Sequence, residues 1–304
     1  MLMQTHAVQL KPQPILLTSR REETTVAAVD TSCMKIGETR HGILIAVRGA
    51  TVCKQNRKYR YMRIGPFIFH VTEENKKEVY ATLQAAYLNA SHEHMPQVML
   101  NLMQMPTRIA NLLEKWLQIT LAKTLNNSLI LFDGSLTSGT PDTPTTLMKE
   151  TLSTAREKGN IILAFSKITN LRFNGHIITE MLPLHKPPYM LEAVGLKPKP
   201  PIVLLGDVYV ARLTHGNYAF RLDIDKEVSS EQKILAVERL LGNDLFQQSY
   251  PETLRLSHIL CTFTANEVIA MQHFITRKYG LRILIRPDMH KLLFGPFGRG
   301  EGYS

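Results

Sequence analysis

Cysteine is scarce in this chain. Cys33, Cys53 and Cys261 are spread over 304 residues with no Cys-x-x-Cys pair, which argues against a disulfide framework and against a zinc site built of thiolates, and fits a reducing compartment. Long apolar runs are also missing. The stretch from Leu125 to Pro141 is poor in charge, but Asp133, Gly134, Pro141 and several hydroxyls interrupt it, so no membrane-spanning segment is expected. Met1 to Leu10 contains no apolar core ahead of a small-residue cleavage site, so no signal peptide is expected either. There is no tail of like charges and no repeat of fixed period. Together these absences predict a cytoplasmic protein without a membrane partner.

What is present describes a globular protein. The composition is 44% hydrophobic and 20% charged, which excludes a disordered chain, a collagen and a coiled coil. A chain of this length can bury roughly 75% of the surface exposed by its unfolded form, so its core needs no staple. Lys and Arg number 36 against 26 Asp and Glu, a net charge of +10. That surplus either favours a phosphate-rich partner through counterion release or serves solubility alone.

The order of elements predicts an α/β protein with a mixed sheet. Met1–Glu23 reads as a loose lead-in. Three β-branched or aromatic runs follow, over Thr24–Asp30, Gly42–Cys53 and Tyr61–Val71, and suggest an antiparallel meander bent at Gly65-Pro66. Thr72, followed by Glu73 and Glu74, predicts a helix start, and Thr107 opens a second helix with Ile109, Leu112, Leu113, Trp116, Leu117 and Thr120 on one stripe. Leu129–Phe132, a helix capped at Thr143-Pro144 and running to Lys158, and Ile161–Phe165 make a strand–helix–strand unit, which implies parallel pairing. Pro183–Pro201 holds six prolines and reads as an irregular connection. Val203–Leu213 and Tyr218–Ile224 form a hairpin. Ser229 with Gln232 and Thr264 with Glu267 open two more helices. Leu281–Ile285 reads as a last strand, and Gly295–Gly302 as a glycine-rich tail.

Two carboxylates carry the chemistry. Asp30 and Asp133 each end an otherwise uncharged strand, the position where open α/β sheets concentrate their ligand-binding groups. As strand neighbours about 4 Å apart, they would repel by about 4 kcal/mol at an effective dielectric near ~20. Such a pair either shares a hard divalent ion, or each Asp caps a turn. Glu114, among Leu112, Leu113, Trp116 and Leu117, lies either at the edge of the apolar stripe facing the sheet or in solvent. His258 is flanked by apolar residues and is expected to be shielded, as a neutral core histidine or as a metal ligand or proton carrier. Lys167 follows a buried strand and can hold a phosphate or remain solvated. Asp223 is either a further ligand or the partner of Arg221, and Asp207 lies in the same hairpin. Arg57, Lys58, Arg60 and Arg63, interleaved with Tyr59 and Tyr61, form either a nucleic-acid track or a solvated strand face.

In order along the chain, Val26-Ala27-Ala28-Val29-Asp30, Leu129-Ile130-Leu131-Phe132-Asp133-Gly134-Ser135-Leu136, Phe165-Ser166-Lys167, Phe220-Arg221-Leu222-Asp223 and Tyr250-Pro251 with Ser257-His258 resemble the NurA nuclease family. The resemblance extends over about Val26 to Ile269. It departs from the family pattern in Asp30-Thr31-Ser32, where Asp-Gly-Ser is common, and in Ser257, where Ala is common. It implies a ribonuclease H-like mixed sheet flanked by helices over residues 24–290, between the lead-in (1–23) and the tail (291–304). It also implies manganese-dependent DNA cleavage, with magnesium (Mg2+) as an alternative to manganese (Mn2+), by a 5′-to-3′ exonuclease and single-strand endonuclease. In that family the enzyme is a homodimer docked on a hexameric HerA ATPase and acts in DNA end resection and repair. By motif position, Asp30, Glu114, Asp133 and His258 are the metal ligands, and Lys167 completes the catalytic set. Two rivals remain at this point: a relative with a degraded site that only binds DNA or docks on HerA, and an actin-like phosphotransferase holding nucleotide phosphates at two Asp turns.

Overall fold

The computed structural model describes residues 3–4, 8–88, 100–180 and 185–284; Ile285 and the expected glycine-rich tail lie outside the described residues. Its main sheet has ten strands: β1 (Gln9–Leu10), β2 (Ile15–Leu16), β3 (Val26–Glu38), β4 (Gly42–Gln55), β5 (Lys58–Thr72), β6 (Leu129–Asp133), β7 (Ile161–Ser166), β8 (Tyr189–Val194), β9 (Gly206–Arg212) and β10 (Phe220–Asp225). The spatial order is β1-β8-β9-β10-β7-β6-β3-β4-β5, with β2 also paired to β8. Pairing is antiparallel except for β3–β6 and β6–β7, which are parallel. The expected meander is therefore β3-β4-β5, and the strand–helix–strand unit adds β6 and β7 to its parallel side. This is the mixed sheet expected from the order of elements, in the ribonuclease H-like form that the resemblance implied.

Among the described residues six α-helices pack on the sheet: α1 (Lys76–Leu88), α2 (Met105–Thr124), α3 (Thr145–Glu157), α4 (Ser230–Asn243), α5 (Glu252–Cys261) and α6 (Ala265–Tyr279). Ile109, Leu112, Leu113, Leu117 and Leu121 recur at helical spacing along α2 and are buried. They join Ala27, Val29, Ile130 and Phe132 in a core that also takes in α1 and α3. The alternate residues Val26, Ala28, Leu129 and Leu131 enter a second core with Ala236 and Leu240 of α4 and Leu254 of α5. The parallel strands are thus buried on both faces, which explains their nearly continuous apolar sequence. Gly49 lets α2 approach β4 closely, since a Cβ there would lie 2.6 Å from Leu117.

Several expectations are corrected. The stretch before Glu23 is not loose: β1 and β2 add to β8, and Val8 and Leu17 are buried. The proline-rich connection contains β8, whose alternation was masked by the prolines on either side. Residues 281–284 form no strand, although Leu281 and Ile283 pack against Ile36. The first strand runs on to Glu38, because Cys33, Met34 and Ile36 continue its apolar pattern past Thr31-Ser32. The first helix begins at Lys76, since Thr72 and Asn75 bond each other in a turn ahead of it. The second starts at Met105, ahead of Thr107, with Pro106 in its first turn. Neither Thr143 nor Pro144 caps α3 through a side chain. The bulge at Gly65-Pro66 is present: Val47 pairs with Phe67 and Gly49 with Ile64.

Candidate active site

Strand parity brings the acids together. Asp30 continues the series Val26, Ala28 along β3, and Asp133 continues Leu129, Leu131 along β6, so both side chains leave the sheet on the α5 side. Val29 pairs with Phe132 in the parallel β3–β6 ladder, which sets Asp30 beside Asp133 one residue further on. Lys167 follows Leu163 and Phe165 with the same parity. Gly134, with φ of 107°, makes the turn after Asp133; its N–H donates to Phe165 O (2.8 Å) and its carbonyl accepts from Ser166 Oγ (2.8 Å).

Each acid has a local partner. Asp30 is buried; its Oδ1 accepts from the Thr31 N–H (2.7 Å), and its Oδ2 lies 2.7 Å from His258 Nδ1. Burial raises the Asp30 pKa and Asp133 adds to the rise, while His258 and the Thr31 N–H oppose it. Asp133 Oδ2 is 2.7 Å from Lys167 Nζ. Glu114 comes from α2, on the opposite face of the sheet, and Gln118 Nε2 donates to its Oε1 (2.7 Å). Burial pushes the Glu114 carboxyl up to about 7; Lys115 opposes the shift, and the negative charges of Asp30 and Asp133 reinforce it. The charges of Asp30 and Asp133 thus reach Glu114 from the other side of the sheet. His258 corrects the expectation of a shielded ring, since its side chain is 55% exposed.

Tyr250 closes the cluster from behind. Its ring packs edge-on against Phe165 and Phe220, and Lys167 Nζ lies 5.7 Å from the ring centroid. Its hydroxyl is buried without a hydrogen-bond partner, and Asp133 and Asp30 raise its pKa after burial does. Beside Asp133 a cavity of about 480 Å³ opens, lined by Ser135, Ser166, Lys167, Asn170 and Arg221.

The NurA domain profile matches residues 24–194. The chain belongs to the NurA family. Its fold is similar to the crystal structure of the NurA nuclease from Sulfolobus solfataricus, with 15% identity over 88% of each chain and a TM-score of 0.54. A NurA crystal structure bound to dAMP and manganese matches at 10% identity, over 89% of this chain and 90% of that one, with a TM-score of 0.48. No curated protein matches the sequence. No helix among the described residues is long and apolar enough to cross a membrane.

By donor type, though not by spacing, Asp30, Glu114, Asp133 and His258 of this NurA chain suit a divalent ion. Three carboxylates and an imidazole are a donor set for a hard or borderline cation. Crowding two acids upward in pKa is costly unless a cation joins them, and the orphaned Tyr250 hydroxyl faces the same charges. Among the described residues, however, the donor atoms that all lie within 4.8 Å of one another belong to Asp30, His258 and Cys261. Asp133 and Glu114 stand outside that group, held by Lys167 and Gln118.

Other candidates resolve as structural. Asp223 is fully buried and accepts two 2.7 Å bonds from Arg221 and one from the Leu136 N–H (3.0 Å), so it is the partner of Arg221. Asp207 pairs with Lys233 (2.6 Å). In the basic strand cluster, the Tyr59 hydroxyl donates to Asp244 (3.2 Å) and Arg63 pairs with Glu267, whereas Tyr61, Arg57, Lys58 and Arg60 are exposed. Sequence reasoning missed two residues. Asp244 is buried and accepts from the Thr253 and Leu245 N–H groups (3.1 and 2.9 Å), thereby fixing the start of α5, the helix that carries His258. Cys261 lies one turn beyond His258. The signal for Asp244 was its place before a Tyr-Pro turn; nothing in the spacing marked Cys261.

Proposed function

We propose that this NurA chain is a divalent-metal-dependent deoxyribonuclease, a phosphodiester hydrolase in which Asp30, Glu114, Asp133 and His258 hold manganese or magnesium. The observation that carries the reading is the placement of Asp30 beside Asp133 on neighbouring parallel strands, with His258 bonded to Asp30 and both Asp charges raising the Glu114 pKa, in a chain of this family. A bound divalent ion supplies an acidified water and neutralises charge on the phosphate.

The protein groups then have separate tasks. Asp30 fixes the His258 ring through Nδ1 and leaves Nε2 toward solvent. Glu114 adds a third carboxylate to the ion's donors, held toward its protonated form until the ion binds. Lys167 holds its ammonium between Asp133 and the cavity, where it meets a phosphate oxygen. The Tyr250 hydroxyl offers a hydrogen bond to an oxygen entering the cluster. Exposed Arg57, Lys58 and Arg60 attract the strand backbone, and Tyr61 is free to stack on a base. The family resemblance extends the proposal to 5′-to-3′ exonuclease and single-strand endonuclease action on DNA ends, as a cytoplasmic homodimer working with a HerA-type ATPase in end resection.

One observation favours a second reading. Asp30 and Asp133 already have His258 and Lys167 as partners, as a DNA-binding or HerA-docking scaffold with a lapsed site would. Incubating the full chain with labelled linear and single-stranded DNA separates the two. Cleavage that requires manganese, stops with chelator and is lost in Asp133→Ala supports the nuclease. DNA binding without cleavage under any divalent ion refutes it.

A further inference from the structure

Cys261 is the buried thiol that the nuclease proposal does not use. It lies on α5 three residues after His258, so the two side chains share a helix face. Asp30 reaches the same point from β3. The donor atoms of Asp30, His258 and Cys261 all lie within 4.8 Å of one another. The Cys261 Sγ donates to the His258 carbonyl (3.2 Å), which keeps the thiol beside the imidazole. Cys33 and Cys53 are free and belong to no such group among the described residues.

We propose that Asp30, His258 and Cys261 form a binding site for a thiophilic divalent cation of the zinc and cadmium class. One carboxylate, one imidazole and one thiolate are the ligand types zinc takes, at about 2.0–2.3 Å, in three-ligand sites that leave a fourth position open. Seating an ion requires the 2.7 Å contact between Asp30 and His258 to open around it. Binding forms a metal–sulfur bond and releases the thiol proton to solvent, with no change of oxidation state. Manganese and magnesium gain little from the sulfur, because they prefer oxygen donors. The sequence could not show this site, since Asp30 lies more than 200 residues from His258 and Cys261 and meets them only through the packing of α5 on β3.

The site has a regulatory consequence, which rests on the nuclease reading. Zinc on Asp30 and His258 removes two donors from the catalytic ion and so inhibits cleavage supported by manganese. Binding itself does not depend on that reading.

Cadmium titration of the metal-free full chain reads the site directly, through the ultraviolet thiolate-to-cadmium charge-transfer band. A saturable band in the wild type, absent from Cys261→Ser, is expected, with zinc affinity in that variant falling by more than the roughly 10–100-fold typical of losing an outer partner. His258→Ala, altering an exposed side chain, must weaken the band as well and serves if Cys261→Ser does not fold. In the nuclease assay, the ratio of cleavage with and without zinc should be far lower for wild type than for Cys261→Ser. A band without any nuclease activity leaves this site standing and refutes the proposed function. No band in folded wild type, or one unchanged in Cys261→Ser, overturns the site.

Discussion

Replacing Glu114 by Gln should stabilise the metal-free protein while it weakens catalysis. The carboxyl is raised from 4.5 to about 7, chiefly by burial on α2 and further by Asp30 and Asp133. Because its folded pKa exceeds its unfolded value, the native state binds more protons between those pH values. Stability therefore falls as pH rises through that window, and the full cost is present above pH 7. At about 1.4 kcal/mol per unit, the ceiling is about 3 kcal/mol, reduced by whatever solvent reaches the side chain. Gln keeps the oxygen that accepts from Gln118 and removes the charge. Urea unfolding with chelator at pH 5 and pH 8.5 tests this: the variant should match wild type at the lower pH and exceed it at the higher. Added manganese should stabilise wild type more than the variant. Equal pH dependence in the two proteins would refute the electrostatic coupling on which the site rests.

Three further outcomes are expected. Lys167→Ala frees Asp133 and removes the phosphate contact, so cleavage should slow on the order of 100-fold with little change in the melting temperature; undiminished cleavage would remove Lys167 from the mechanism. Asp244→Ala strips the acceptor from the Thr253 N–H in the first turn of α5 and from the Leu245 N–H ahead of that helix and should cost roughly 1–3 kcal/mol, read by urea unfolding; a cost near zero would show that α5 is anchored elsewhere. Glu267 is held down at about 2 by Arg48 and by the Thr264 N–H, so its contribution is present above pH 4.5 and lost as pH falls toward 2. Glu267→Gln should therefore lose less stability than wild type over that acid range, and identical acid unfolding curves would rule this out.

The sequence by itself determined the periodicities and the motif order. The apolar strand ending in Asp133, the apolar run leading into Asp30, the stripe on α2 and the Thr264–Glu267 capping box are local patterns, set by neighbours within a few residues, and all appear in the structure, although the strand that holds Asp30 continues to Glu38. Strands β1, β2 and β8 were not legible, because β1 and β2 pair with β8 and β8 with β9, all distant in sequence, and prolines or mixed polarity hide a short strand. The site divides in the same way. That Asp30 and Asp133 each follow an apolar run was visible in the residues; that Asp30 takes His258, that Asp133 takes Lys167, and that Glu114 is driven toward neutrality were not. Those outcomes depend on distances and burial created when α2 and α5 close on opposite faces of one sheet, and a linear pattern carries neither quantity.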